Sequence, residues 1–123
     1  METIYFATAI SFLFIHELDA IQAKEWKLFI VLRDLQERQA YSIWLALHFP
    51  LFLLPFLVVT ESFGRDTTIF VRIGIDLFLA FHLFLHIYFR KHRDYHFHSI
   101  QSNLYIVFTA LFASLDLLVL SKS

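Results

Sequence analysis

Hydrophobic residues gather into four runs, roughly Ile4–Ile21, Tyr41–Thr60, Thr68–Phe89 and Ile100–Leu120, separated by stretches that carry most of the charge. Each run approaches the ~20 apolar residues that an α-helix needs to cross a hydrocarbon core. The pattern predicts an all-α fold: an integral membrane four-helix bundle forming one domain over residues 1–123. The first run lacks a basic leader and a small-residue cleavage site, and Glu2 precedes it, so we expect a retained span. Between the first two runs, residues 22–39 alternate Leu28, Phe29, Val31, Leu32 and Leu35 with charges. That alternation predicts a short interfacial helix on the membrane surface, with Trp26 as its anchor. Pro50 and Pro55 fall inside the second span, where neighbouring helices can satisfy the carbonyls a proline frees.

Charge orients the bundle. The linkers 22–39 and 90–99 lie on one face and hold Lys24, Lys27, Arg33, Arg38, Arg90, Lys91 and Arg93. Arg65, Arg72 and Lys122 fall toward the other face. This asymmetry predicts cytoplasmic linkers and termini on the outside, an arrangement that fits a bacterial inner membrane.

Composition narrows the chemistry. The chain is 59% hydrophobic with 16 Phe, two Gly and two Pro, which leaves little support for turn-rich β architecture. A formal charge of −1, with no basic stripe, argues against a nucleic-acid partner. Without cysteine, any metal or redox chemistry must run on histidines and carboxylates.

The seven histidines then stand out, because all fall toward the linker face. By the helical rise His16 lies ~9 Å inside the first span, His48 is similarly deep in the second, and His82 and His86 are roughly 12 and 6 Å deep in the third. His82 and His86 are i, i+4 neighbours, a spacing that lets two imidazoles grip one ion. His16 and Asp19 share a face of the first helix. On a helical wheel Arg72, Asp76, His82, His86 and Arg90 fall within about 120°, and Ser99, Ser102, Thr109 and Asp116 within about 100°. These stripes should face the interior, since ionisable groups in lipid are expensive. Near the outer face, Asp116 should pair with Arg72 or lie beside Asp76 as a structural contact.

We therefore expect a transition-metal site with His16, Asp19, His48, His82 and His86 as ligands and Glu17 as the proton-transfer group. Nitrogen and oxygen donors without thiolate fit non-haem iron, manganese or zinc. The substrate would be a lipid or another lipophilic small molecule held by the Phe-rich walls. Three other readings stay open: a metal-free His/Glu isomerase similar to the four-helix sterol isomerases, a haem between His48 and His82 or His86, and a proton or ion pathway. Homo-oligomerisation, and the roles of Glu25, His92, His96 and His98, also stay open.

Two resemblances bear on this. "HLFLH" (82–86) and "HRDYH" (92–96) resemble the HxxxH-type histidine boxes of membrane fatty-acid desaturases and hydroxylases. That resemblance implies a non-haem iron oxidoreductase, with hydrolysis on zinc as the next reading. His16-Glu17-Leu18-Asp19 followed by Glu25-Trp26 resembles the first-span motif of small, uncharacterised histidine-rich membrane proteins of HXXEE-like pattern. This second resemblance covers most of the chain and implies a membrane enzyme.

Overall fold

The computed structural model describes residues 3–123. Glu2, used above to argue for a retained first span, lies outside the described residues. Four α-helices follow in order: α1 (Ile4–Gln22), α2 (Glu37–Val59), α3 (Arg65–Phe89) and α4 (Ile100–Lys122). Among the described residues there is no strand. Each helix is long and apolar enough to cross a membrane. α2 runs unbroken through Pro50 and Pro55.

Packing is uneven. α1 lies most closely against α4, and α4 against α3, whereas α2 meets α3 more sparsely. Small residues permit the close approach: Ala9 of α1 and Ala113 of α4 are fully buried in one cluster with Phe6, Leu13 and Leu79. A second cluster, at the linker face, joins Trp26, Trp44, Tyr95, Phe97 and Ile106. The polar stripes of α3 and α4 face inward over most of their length, with Arg72, Asp76, His86, Ser102, Thr109 and Asp116 buried. His82 is half-buried, and Arg90 and Ser99 at the linker end are exposed.

The linker between α1 and α2 differs from the expectation. It forms no amphipathic α-helix; a four-residue 3₁₀ turn (Glu25–Leu28) is followed by further turns. Lys24 adopts left-handed backbone (φ 51°) just past the end of α1, which reverses the chain. The reversal tucks Glu25, Trp26, Leu28 and Leu32 beneath the bundle. Trp26 is accordingly a core residue and not an interfacial anchor, with its ring 5.1 Å from Tyr41 and 5.6 Å from Trp44. The apolar periodicity of this segment arises because the segment covers the bundle, a role that needs no helix.

The second long linker uses the other periodicity. Residues 95–98 are extended, so Tyr95 and Phe97 turn inward while His96 and His98 turn out.

Candidate metal centre

Three helical turns and one loop residue converge at the linker face. His16 comes from α1, His82 and His86 from successive turns of α3, and Glu25 from the 3₁₀ turn. One donor atom from each lies within 4.8 Å of every other. His82 Nε2 is 3.0 Å from His16 Nε2 and 2.8 Å from His86 Nε2. Glu25 Oε2 stands 3.6 Å from His16 Nε2 and 3.9 Å from His86 Nε2.

This geometry is awkward for hydrogen bonding alone. A ring nitrogen carries either a proton or a lone pair, so His82 Nε2 can make only one of its two short contacts as an ordinary hydrogen bond. Glu25 Oε2 is buried and has no hydrogen-bond partner among the described residues. Donor-rich atoms thus crowd around one point with fewer protons than contacts. A shared cation resolves the arrangement, and the group could hold a metal ion.

The surroundings hold the rings in place. His86 Nδ1 is 3.1 Å from Tyr95 Oη, and a hydrogen bond from Nδ1 to the phenol leaves the Nε2 lone pair facing the cluster. Burial pushes the Tyr95 phenol up to about 12, an effect that Arg90 opposes and Glu25 reinforces. Tyr95 is therefore neutral and able to share its proton. The Phe97 ring packs 4.8 Å from His86 and 5.3 Å from His16, closing the site from below. At Glu25, burial raises the carboxyl, but the nearby His16, His82 and His86 outweigh it and hold the group below the ordinary carboxylate range.

The structure divides the predicted residues into groups. His16, His82 and His86 come together as expected. His48 and Glu17 form a separate pair, with His48 Nε2 2.7 Å from Glu17 Oε2. His48 Nδ1 lies 2.6 Å from the Trp44 carbonyl and must donate to it, so His48 Nε2 and Glu17 share the second proton. Asp19 turns toward α4, where its Oδ2 accepts a 2.5 Å hydrogen bond from Ser102 Oγ. Ser102 in turn belongs to the N-cap of α4 through Ser99. Asp19 and His48 therefore stand outside the four-residue group, and Glu25 stands inside it. Outside it too are His92, which accepts from the Asp94 backbone N–H, and the outward-facing His96 and His98.

Glu25, Tyr95 and Phe97 are the participants that sequence reasoning did not place. Glu25-Trp26 was visible as a polar–aromatic pair beside the first span, and Tyr95-His96-Phe97 as an alternation. Only the path of the two linkers brings them under the helices.

A cavity of about 700 Å³ adjoins the cluster between α2, α3 and the first linker. Glu17, Glu25, His48, His82 and His86 border it, and most of the remaining wall is Leu, Ile, Val and aromatic side chains. At the opposite end of the bundle Arg72 clasps Asp116 with two bonds, Nε to Oδ2 at 2.7 Å and Nη2 to Oδ1 at 2.5 Å. The expected structural partner of Asp116 is thus Arg72.

Four apolar helices enclosing a His/Glu group of this kind define a membrane-type helical protein with a potential metal centre. The chain belongs to the family of unknown function DUF6713, whose profile matches residues 1–123. No curated protein and no solved structure matches it.

Proposed function

We propose that this is an integral membrane metalloenzyme that holds one transition-metal ion on His16, His82, His86 and Glu25 and acts on a lipophilic substrate. The observation that carries the reading is the convergence of three Nε2 atoms and a buried, unpartnered carboxylate oxygen on one point beside an apolar cavity. Iron is favoured over zinc. With metal–nitrogen bonds of ~2.0–2.1 Å, cis nitrogens on an octahedral ion sit about 3 Å apart, and on a tetrahedral ion about 3.4 Å apart. The Nε2–Nε2 distances of 3.0 and 2.8 Å are nearer the octahedral value and the Glu25 distances of 3.6 and 3.9 Å nearer the tetrahedral one, so the preference for iron rests on coordination number. Four protein donors would also close a tetrahedral shell, whereas a six-coordinate ion keeps open positions for substrate chemistry.

Iron in such a site supplies oxidative chemistry of the hydroxylase or desaturase type. The protein's part is to hold the ion, exclude water with Phe97 and Trp44, and move a proton through the Glu17–His48 pair, which borders the same cavity. That pair also favours a second reading. On zinc, Glu17 backed by His48 would serve as general base for hydrolysis. The haem reading draws less support, because Glu17 already engages His48 Nε2 and the Nε2 atoms of His16, His82 and His86 crowd one another. In this proposal the linker face is cytoplasmic, as the lysines and arginines indicate.

Metal analysis of detergent-purified protein, with its ultraviolet–visible spectrum, tests the reading. We expect about one ion per chain, lost in the His82→Ala, His86→Ala double variant and reduced in Glu25→Gln, by analogy with designed and natural His/carboxylate sites. Stoichiometric metal in the double variant would reject the site.

A further inference from the structure

The cavity beside the cluster has a direction. Its inner end carries the carboxylates and imidazoles, and the rest of its wall is apolar, with Leu47 and Leu51 from α2 facing Phe78 and Leu85 from α3. It lies between α2 and α3, which meet only sparsely. Phe29, Ile30 and Val31 of the first linker line its end at the linker face and are 46, 69 and 78% exposed. Ile43 borders this cavity and also a second groove of about 490 Å³, formed by Leu35, Arg38, Gln39 and Ser42. The two spaces therefore adjoin at Ile43, the inner one lined mostly by apolar side chains and the outer one bordered by Arg38.

We propose that the two spaces together seat one acyl chain of an anionic membrane phospholipid, admitted laterally between α2 and α3, with the headgroup at Arg38 and Gln39. The medium around the spans is itself hydrocarbon chain, so the occupant needs no route through water. Arg38 offers planar donors suited to a phosphate, and Gln39 adds a neutral donor beside it, while the Ser42 hydroxyl donates to the Arg38 carbonyl. Arg38 and His48 are ten residues apart, which places the Glu17–His48 pair on the cavity wall about 15 Å of helix rise below the headgroup. Mid-chain carbons, not the ester end, would then lie beside that pair. The proposal rests on the metal-centre reading only for what happens at that inner end.

Trp44 is part of the cavity wall, and the chain has two tryptophans in all, so Trp26→Phe leaves Trp44 as sole reporter. The protein is placed in bilayers of phospholipid brominated at mid-chain, and quenching of Trp44 fluorescence is read. We expect quenching at least twofold stronger than in a Leu51→Phe, Leu85→Phe variant whose cavity is filled. It should also be stronger for phosphatidylglycerol than for phosphatidylcholine, and Arg38→Gln should abolish that preference. Native mass spectrometry of retained lipid gives the same comparison without the Trp26 change. Quenching and lipid retention no greater than in the filled variant, or indifferent to headgroup, overturn the proposal. Metal content on the same samples separates the two readings. Full metal without lipid rejects the lipid alone, and lipid without metal rejects the centre alone.

Discussion

Two layers of buried charge lie at opposite ends of this bundle, and they are completed in different ways. In the outer layer the guanidinium fork of Arg72 meets both oxygens of Asp116, and the cation also lies 5.4 Å over the Phe6 ring. Arg72 and Asp116 match charge with charge, while Asp76 on the same stripe is fully buried with no hydrogen-bond partner for either oxygen among the described residues. In the inner layer three imidazoles and a carboxylate converge, Glu25 Oε2 and His16 Nδ1 have no hydrogen-bond partner among the described residues, and His82 Nε2 faces two nitrogens at once. Buried polar atoms in a bilayer are tolerated when paired. The Arg72–Asp116 pair is therefore complete within the chain, while the inner group could hold a metal ion.

Breaking the inner layer gives the largest effect. Removing two imidazoles by His82→Ala with His86→Ala should reduce bound metal to background by elemental analysis while the four helices persist in circular dichroism. Parallel loss of helicity would make the cluster structural, like the outer layer.

The outer layer should answer in stability alone. Asp116→Ala removes the carboxylate that Arg72 clasps, and breaking such a buried pair costs about 3–5 kcal/mol. Denaturation in detergent should show the loss with metal content unchanged. Replacing both partners, as Arg72→Met with Asp116→Leu, should recover most of it.

Tyr95→Phe sharpens the contrast further, because it removes the hydrogen-bond partner of His86 Nδ1 while keeping the ring in the core. Metal affinity should fall about tenfold, the scale for losing an orienting partner of a ligand, with little change in stability. Competition with a chromophoric chelator reads this directly.

Ser102→Ala tests whether Asp19 belongs to either layer. Its loss removes the hydrogen bond between α1 and the start of α4, a net contribution of about 0.5–1.5 kcal/mol. Metal content should not change.

Acid should separate binding from folding. Imidazole ligates in its neutral form, so metal should leave as pH falls through the histidine range. Glu25 is held below the ordinary carboxylate range in the fold. Its contribution to stability is thus present above its unfolded pKa and is lost only as pH falls below that range. Metal release should precede acid unfolding when both are followed on one titration.

The helices were legible because membrane spans must be long, continuous and apolar, a requirement that any sequence window can display. α3 ends at Phe89 where the apolar run ends, and Ser99 caps α4 at its expected start. The outer pair was also legible, since Arg72 and Asp116 lie in inward-facing stripes at matching heights. Asp19 was harder to place. Its i, i+3 relation to His16 puts both on one side of α1, yet that side spans two neighbours, and the rotation of α1 against α4 gives Asp19 to Ser102. His48 was placed at the right depth, but α2 stands off from the other helices and its imidazole reaches Glu17 instead of the cluster.

Sequence alone determined four spans, the face on which the histidines gather and the absence of thiolate ligands, because periodicity, length and residue type act within a single segment. Tertiary structure alone decided which donors meet. Helix rotation excludes Asp19 and His48, and the left-handed backbone at Lys24 turns the first linker back beneath the bundle. That reversal delivers Glu25 to the three histidines, and the extended backbone at 95–98 sets Tyr95 behind His86. Such meetings depend on angles and distances between segments far apart in the chain, which no local pattern encodes.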